Sequence, residues 1–273
     1  MTVLLEVEKL NKSLGGQPVV QSVSFSVDEA RTLGIVGESG SGKTTLVRSV
    51  LRAIDPDSGT IRYNSRSGWQ DLHALDRKSL LPLRREIQMI FQDPFASLNP
   101  RMTVQKILEE PLVIHRIGDR ASRHQRVLSM LRRVGLGADA ASRFPHAFSG
   151  GQRQRIGIAR ALILEPRLIV CDESVSALDV SVQAQILDLL QTLQQEFGLT
   201  YLFVAHDLGV VREFCDDVMV MYAGRVVEQG PVETVFNHPS HDYTRLLLSA
   251  IPSIDPDVQL QPLDRSTLNL AAD

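Results

Sequence analysis

Gly37-Glu38-Ser39-Gly40-Ser41-Gly42-Lys43-Thr44-Thr45 is the stretch that decides the fold of this chain. Leu33-Gly34-Ile35-Val36, a short apolar run of strand length, feeds directly into it. Residues Thr44 to Ala53 follow with Leu46, Val47, Val50 and Leu51 at helical spacing. A glycine-rich loop between a strand and a helix turns successive backbone N–H groups inward, and the positive end of the helix reinforces them, so the loop cradles phosphate oxygens. Gly37, Gly40 and Gly42 let the backbone curl without Cβ clashes. Lys43 reaches the β- and γ-phosphates, and the Thr44 hydroxyl is placed for Mg2+. Without the flanking strand and helix these residues would read as a flexible loop with a surface lysine.

Two further apolar runs end in chemistry. Leu168-Ile169-Val170-Cys171 leads into Asp172-Glu173. An acidic residue at the tip of a buried strand can hold Mg2+, directly or through water, and Glu173 is placed to polarise an attacking water. Alone, the pair could equally be solvated strand-end acids; the phosphate loop upstream tips the reading. Thr200-Tyr201-Leu202-Phe203-Val204 is followed by His206, whose imidazole can hydrogen-bond a γ-phosphate. A lone histidine there is ordinarily structural, and only its company assigns it a role. The helical run Val182–Phe197 separates these strands, an alternation that predicts a parallel sheet covered by helices.

Around these landmarks the chain divides by texture. Leu4–Val7 and Val23–Val27 read as strands, with Gly15-Gly16 as turn punctuation. Residues 60 to 92 read as further strands around a polar excursion at 64–71. From about Asp93 to Pro145 the pattern becomes helical, with Val104, Ile107, Leu108 and Leu112 on one face and Val127, Leu128, Leu131 and Val134 on another. Beyond Gly230 the tail is Pro-rich, His-containing and polar towards its end, and no internal repeat is evident. With 273 residues, 43% hydrophobic and 22% charged, the composition is that of a soluble globular protein. A net charge of −3 argues against a nucleic-acid partner held by phosphate neutralisation. Cys171 and Cys215, the two cysteines, form no metal-ligand cluster and point to a reducing compartment. The N-terminus MTVLLEVEKL does not read as a secretory signal. No stretch reaches the roughly 20 apolar residues of a membrane span.

About 105 residues after the phosphate loop comes Ser149-Gly150-Gly151-Gln152. GESGSGKTT, the Gln92 loop in IFQDP, FSGGQRQR, LIVCDE, SALD and VAHD together resemble, in order and spacing and over essentially the full chain, the nucleotide-binding subunits of ATP-binding cassette transporters. The resemblance implies an α/β fold: a P-loop NTPase (RecA-like) core, an antiparallel β-subdomain and an α-helical subdomain carrying the signature. On that frame residues 1–92 hold the β-subdomain and the phosphate-loop part of the core, and 93–160 the helical subdomain. Residues 161–230 hold the rest of the core and 231–273 a C-terminal extension, all within one transporter domain. The resemblance further implies that Gly37 to Thr45 bind ATP and that Thr44, Gln92 and Asp172 hold Mg2+. By the same resemblance, Glu173, His206, Lys43 and Gln92 are expected to carry catalysis. Ser149, Gly150, Gly151 and Gln152 would cover the ATP of a second ATPase subunit, identical or paralogous, with Asp179 of SALD at the seam between them. Two transmembrane permeases and an extracytoplasmic solute-binding protein complete the implied assembly, which places this chain peripherally on the cytoplasmic face of the cell membrane. FQDPFASLNPRMTV and NHPSHDYTRLLLSAIP are similar to the oligopeptide, dipeptide and nickel importer branch. The second lies outside the ATPase core and reads as a mark of subfamily rather than of chemistry. Many of that branch continue into a cysteine-rich tail that holds an iron–sulfur cluster; no cysteine follows Cys215, so no cluster is expected here.

Some positions depart from the family pattern. Leu14 stands where an aromatic usually stacks on adenine, an interaction worth about 1–3 kcal/mol, so weaker nucleotide binding is expected. Phe148 replaces a leucine before SGGQ, and Ser174 a proline after Glu173, where a looser turn is expected. Lys78, Arg84 and Arg85 read as a solvated basic face, His238 and His241 lack the company of a metal site, and Trp69 has no assigned role. Mechanical ATPases that share the cassette are the alternative. DNA-repair members insert long coiled coils between the half-sites, for which about 105 residues leave no room, and ribosome-associated members carry two cassettes. A small-molecule kinase would explain the phosphate loop but not SGGQ, SALD and His206 together.

Overall fold

The computed structural model describes residues 2–93, 97–176 and 178–249. They fall into two compact units, one of residues 2–74 with 202–249 and one of residues 75–201. The first unit opens with a hairpin of β1 (Val3–Leu14) and β2 (Gln17–Asp28). Its turn residues Gly15 and Gly16 both take positive φ, +57° and +80°, the conformation a two-residue hairpin loop requires. β3 (Thr32–Val36), buried throughout, runs into the glycine loop and α1 (Lys43–Val50). β4 (Ser58–Ser65) and β5 (Gly68–Asp71) complete an antiparallel sheet in the order β2-β1-β4-β5. Val7, at its centre, pairs with Phe25 on one side and Ile61 on the other, all buried. β1 and β2 outrun the apolar clusters that announced them, because backbone pairing carries the polar residues beyond.

The second unit begins with α2 (Arg77–Glu86) and β6 (Ile87–Ile90). Here the expectation of strands throughout 60–92 is corrected: ten of these residues are helical. The Asp76 carboxylate caps the helix by accepting the Ser79 N–H at 2.8 Å, and Leu80 and Leu83 face inward. α3 (Val104–Ile114) buries the four residues assigned to its inner face, and α4 (Arg120–Arg133) turns Met130 inward where Leu128 was expected. Two short 3-10 turns, Ala138–Ser142 and Pro145–Ala147, lead to α5 (Gly150–Leu162), β7 (Leu168–Asp172) and α6 (Val180–Phe197). β6 and β7 pair in parallel, Ile87 opposite Leu168 and Ile90 opposite Cys171.

β8 (Thr200–Val204) carries the chain back to the first unit, followed by α7 (Leu208–Phe214), β9 (Asp217–Tyr222) and β10 (Arg225–Pro231). β9 lies parallel to β3 and antiparallel to β10, and the Ala205 N–H reaches the Ile35 carbonyl at 3.3 Å. The polar tail folds back as α8 (Val232–Asn237) and α9 (Asp242–Ser249), burying Tyr243 completely. Full burial of an aromatic or large aliphatic side chain contributes about 1.5–3 kcal/mol, which makes this end of the tail part of the unit's core.

Candidate functional site

The phosphate loop is set by what its glycines avoid. Gly37 has φ +148°, and a Cβ there would stand 2.2 Å from the Met221 carbonyl oxygen; one on Gly42, at φ +101°, would stand 2.4 Å from that of Val19. No other residue fits against these backbones. Lys43 is 4% exposed, its ammonium donating to the Gly37 and Glu38 carbonyls, both at 2.8 Å, and to Ser41 Oγ at 3.5 Å. These are neutral acceptors, which an anionic phosphate oxygen outcompetes. Thr44 and Thr45 sit half-buried in the first turn of α1. In the same unit His206 follows β8, whose end is bonded to the end of β3, so His206 and the loop leave neighbouring strands on the same side.

One contact to this loop was not anticipated. The Glu38 N–H donates to the hydroxyl of Tyr243, 2.9 Å away and 205 residues along the chain. The tail segment was assigned to subfamily alone; the structure brings it to the phosphate loop. No local signal marks Tyr243, which reads in the sequence as one aromatic in a short helical run.

In the unit of residues 75–201, Asp172 ends β7 and is 3% exposed. Glu173 follows at φ +51°, a left-handed conformation that costs a non-glycine residue energy and recurs at functional sites. Its Oε2 accepts the Gln92 side-chain N–H at 2.7 Å, so two of the residues assigned to catalysis touch. The turn is closed, not loosened: the Ser176 N–H and hydroxyl both bond the Glu173 carbonyl, and Ser174 is buried. Burial pushes the Cys171 thiol up to about 12, leaving an inert core residue beside the acids. Arg160 of α5 steadies both flanks of the Gln92 segment, donating to the Ser97 carbonyl at 2.6 Å and lying 5.6 Å over the Phe91 ring.

SGGQ forms the start of α5. Ser149 is its cap, and with Gln152 it completes a reciprocal capping box that leaves a helix N-terminus edged by two glycines. Gly151 has a second reason to be glycine: a Cβ there would lie 2.5 Å from Val182 Cγ1 on α6. Leu178 lies 3.7 Å from the Cβ position of Gly150, so the signature and SALD pack together. Asp179 caps α6 without a side-chain bond, and Val180 beside it is 85% exposed. Ala177 of SALD, residues 94–96 of the Gln92 segment and the tail from residue 250 lie outside the described residues.

The remaining positions are sorted by their surroundings. Leu14 ends β1 with 44% of its surface exposed. Phe148 is buried under the Arg143 guanidinium, 4.3 Å from its ring, and Trp69 carries Arg62 at 5.3 Å. Lys78 and Arg84 are exposed as expected, but Arg85 is half-buried with an unpartnered Nε, a correction to the solvated-face reading. His241 is used locally, its Nδ1 accepting the Tyr243 N–H at 3.0 Å. For Mg2+, the assigned donors Thr44, Gln92 and Asp172 offer oxygens, the ligands this hard cation takes. Among the described residues no group of three or more His, Cys, Asp or Glu gathers as a metal site; Mg2+ does not require one, since it keeps waters and phosphate oxygens.

Comparison with known proteins bears on both units. Residues 20–176 match the family model described as ABC transporter, and residues 227–272 that of the oligopeptide/dipeptide transporter C-terminal region. A putative peptide import ATP-binding protein of Brucella ovis is 53% identical over 243 residues, 89% of this chain and 75% of that protein. The oligopeptide transport ATP-binding protein OppF of Bacillus subtilis is 48% identical over 262 residues, 94% of this chain and 85% of that one. A dimeric ATP-binding cassette solved in a post-hydrolysis state with ADP and phosphate superposes with a TM-score of 0.74 at 29% identity, covering 84% of this chain and 99% of the other.

Proposed function

This chain belongs to the ABC transporter family, in the branch that carries the oligopeptide/dipeptide C-terminal region, and we propose that it is the ATP-hydrolysing subunit of an importer for peptides or a related small solute. The observation that carries this is that one chain presents two unlike half-sites. One is a phosphate loop with its lysine folded onto neutral carbonyls, and the other a capped helix N-terminus edged by Gly150 and Gly151. Each suits a phosphate, and a pair of subunits packed head to tail would use both on one ATP.

In that pair Lys43 and the loop N–H groups hold the β- and γ-phosphates, while Ser149, Gly150 and Gly151 of the facing subunit close over the γ-phosphate. Thr44 and Asp172, with Gln92, are the residues to hold Mg2+, which when bound neutralises charge on the phosphates. Glu173 polarises water for in-line attack and Gln92 orients its carboxylate; His206 steadies the γ-phosphate. Positioning and charge stabilisation supply most of the rate. Residues 1–92, 93–160, 161–230 and 231–273 are the β-subdomain with phosphate loop, helical subdomain, remaining core and extension.

The partners are two permeases at the cytoplasmic membrane face and, through them, a solute-binding protein. Among the described residues no helix is long and apolar enough to cross a membrane. A mild-detergent pull-down of the tagged chain from its native membranes tests the reading. Permeases should co-purify with ATPase activity that Lys43→Ala abolishes; recovery with ribosomes or nucleic acid would favour a mechanical ATPase.

A further inference from the structure

The peptide group joining Gly37 to Glu38 is held at both of its polar ends. Its carbonyl accepts the Lys43 ammonium at 2.8 Å, and its N–H donates to the Tyr243 hydroxyl at 2.9 Å. Rotation of this peptide would take the carbonyl away from Lys43. Gly37, at φ +148° and without a Cβ, has no side chain of its own to restrict such rotation. Tyr243 belongs to α9 and is fully buried, its ring 4.4 Å from that of Tyr222 at the end of β9. The segment entering α9 is itself anchored. The Glu228 carboxylate of β10 accepts the Ser240 N–H and hydroxyl at 2.7 and 2.8 Å and the His241 N–H at 3.1 Å. A bonded path thus runs from the C-terminal extension to the residue that docks Lys43.

From this geometry we infer that Tyr243 is a positioning residue for nucleotide binding, through which the C-terminal extension sets the phosphate loop for its ligand. The inference rests on the reading of the loop as an ATP site. The hydroxyl keeps the Gly37–Glu38 peptide in the one orientation that stores Lys43 at the loop and releases it to a phosphate without rebuilding the backbone. Preorganisation of this kind is felt as affinity, since an unordered loop must be ordered on binding. Tyr243 touches no reacting atom, so the effect falls on nucleotide binding and not on the chemical step.

Full-length parent, Tyr243→Phe and Glu228→Gln proteins test this, with Lys43→Ala as the control. Kd for MgADP, KM and kcat for ATP and the nucleotide-free melting temperature are measured for each. Tyr243→Phe keeps the ring and removes one hydrogen bond, so Kd and KM should rise about three- to tenfold with kcat within about twofold of the parent. Glu228→Gln should shift Kd in the same direction by less, and it carries the test should Tyr243→Phe fail to fold. Unchanged Kd and KM, or a lowered melting temperature with unchanged Kd, would overturn the role of Tyr243 while leaving the ATP site standing. A parent with no MgADP affinity, or with affinity that Lys43→Ala leaves intact, would sink the ATP-site reading and this inference with it.

Discussion

At the scale of single residues, the chemistry of this chain is local and its tuning is not. Lys43, Thr44 and the glycines of the phosphate loop are legible in place because a strand, a loop and a helix lie within some twenty positions. Asp172 and Glu173 are legible as the end of an apolar run. Tyr243 is illegible because its partner is 205 residues away, and nothing in a short polar tail announces a contact made by folding back. Leu14 shows the opposite case, a departure visible in sequence whose setting the structure supplies. It ends β1 with 44% of its surface exposed, so a larger planar side chain fits without displacing the core. Leu14→Tyr should tighten MgATP binding several-fold, within the roughly 1–3 kcal/mol that base stacking provides. Titration of both proteins decides it, and equal affinities would mean that a neighbouring group already meets the base.

At the scale of elements, clean periodicity is legible in the sequence and interrupted periodicity is not. α3 declared itself through Val104, Ile107, Leu108 and Leu112, all buried. α2 hid because Pro82 sits in its interior, where proline ordinarily ends a helix; the Asp76 cap three residues before Ser79 was the signal available. Helix packing also gives the signature a constraint apart from nucleotide. α5 and α6 approach so closely at Gly151 that a Cβ would lie 2.5 Å from Val182 Cγ1, and a valine in a helix has little rotamer freedom with which to yield. Gly151→Ala should therefore destabilise the protein by about 1–3 kcal/mol, the usual range for overpacking. Val182→Ala in the same chain should restore much of that loss. Denaturant unfolding of the two single variants and the double variant measures the coupling. Additive losses would show that Gly151 serves backbone conformation rather than helix approach.

At the scale of the whole molecule, the proposed function makes the subunit one half of an ATP-joined pair. On the proposed head-to-tail pairing, ATP bound at Gly37–Thr45 of one copy would present its γ-phosphate to Ser149–Gly151 of the other, so that the nucleotide itself would join them and hydrolysis would remove the joint. As the proposed base, Glu173 would control how long that joint lasts. It is held at φ +51° with Gln92 on its carboxylate, a geometry that suits orienting one water and adds little to nucleotide binding. Glu173→Gln keeps the size and the hydrogen-bonding shape and removes the charge that polarises water. The variant should bind MgATP as tightly as the parent, hydrolyse it at least about a hundredfold more slowly, in line with loss of a general base, and run as a dimer on size exclusion. Where the working pair is paralogous, the dimer should form only with the second ATPase present. Chelating Mg2+ should weaken the dimer, because the phosphate loop would then hold the nucleotide without the cation that neutralises its phosphates. Rapid turnover by Glu173→Gln would move the base to another residue. A dimer that forms equally well without nucleotide would mean that protein surfaces alone, including the exposed Val180 beside Asp179, hold the two copies together.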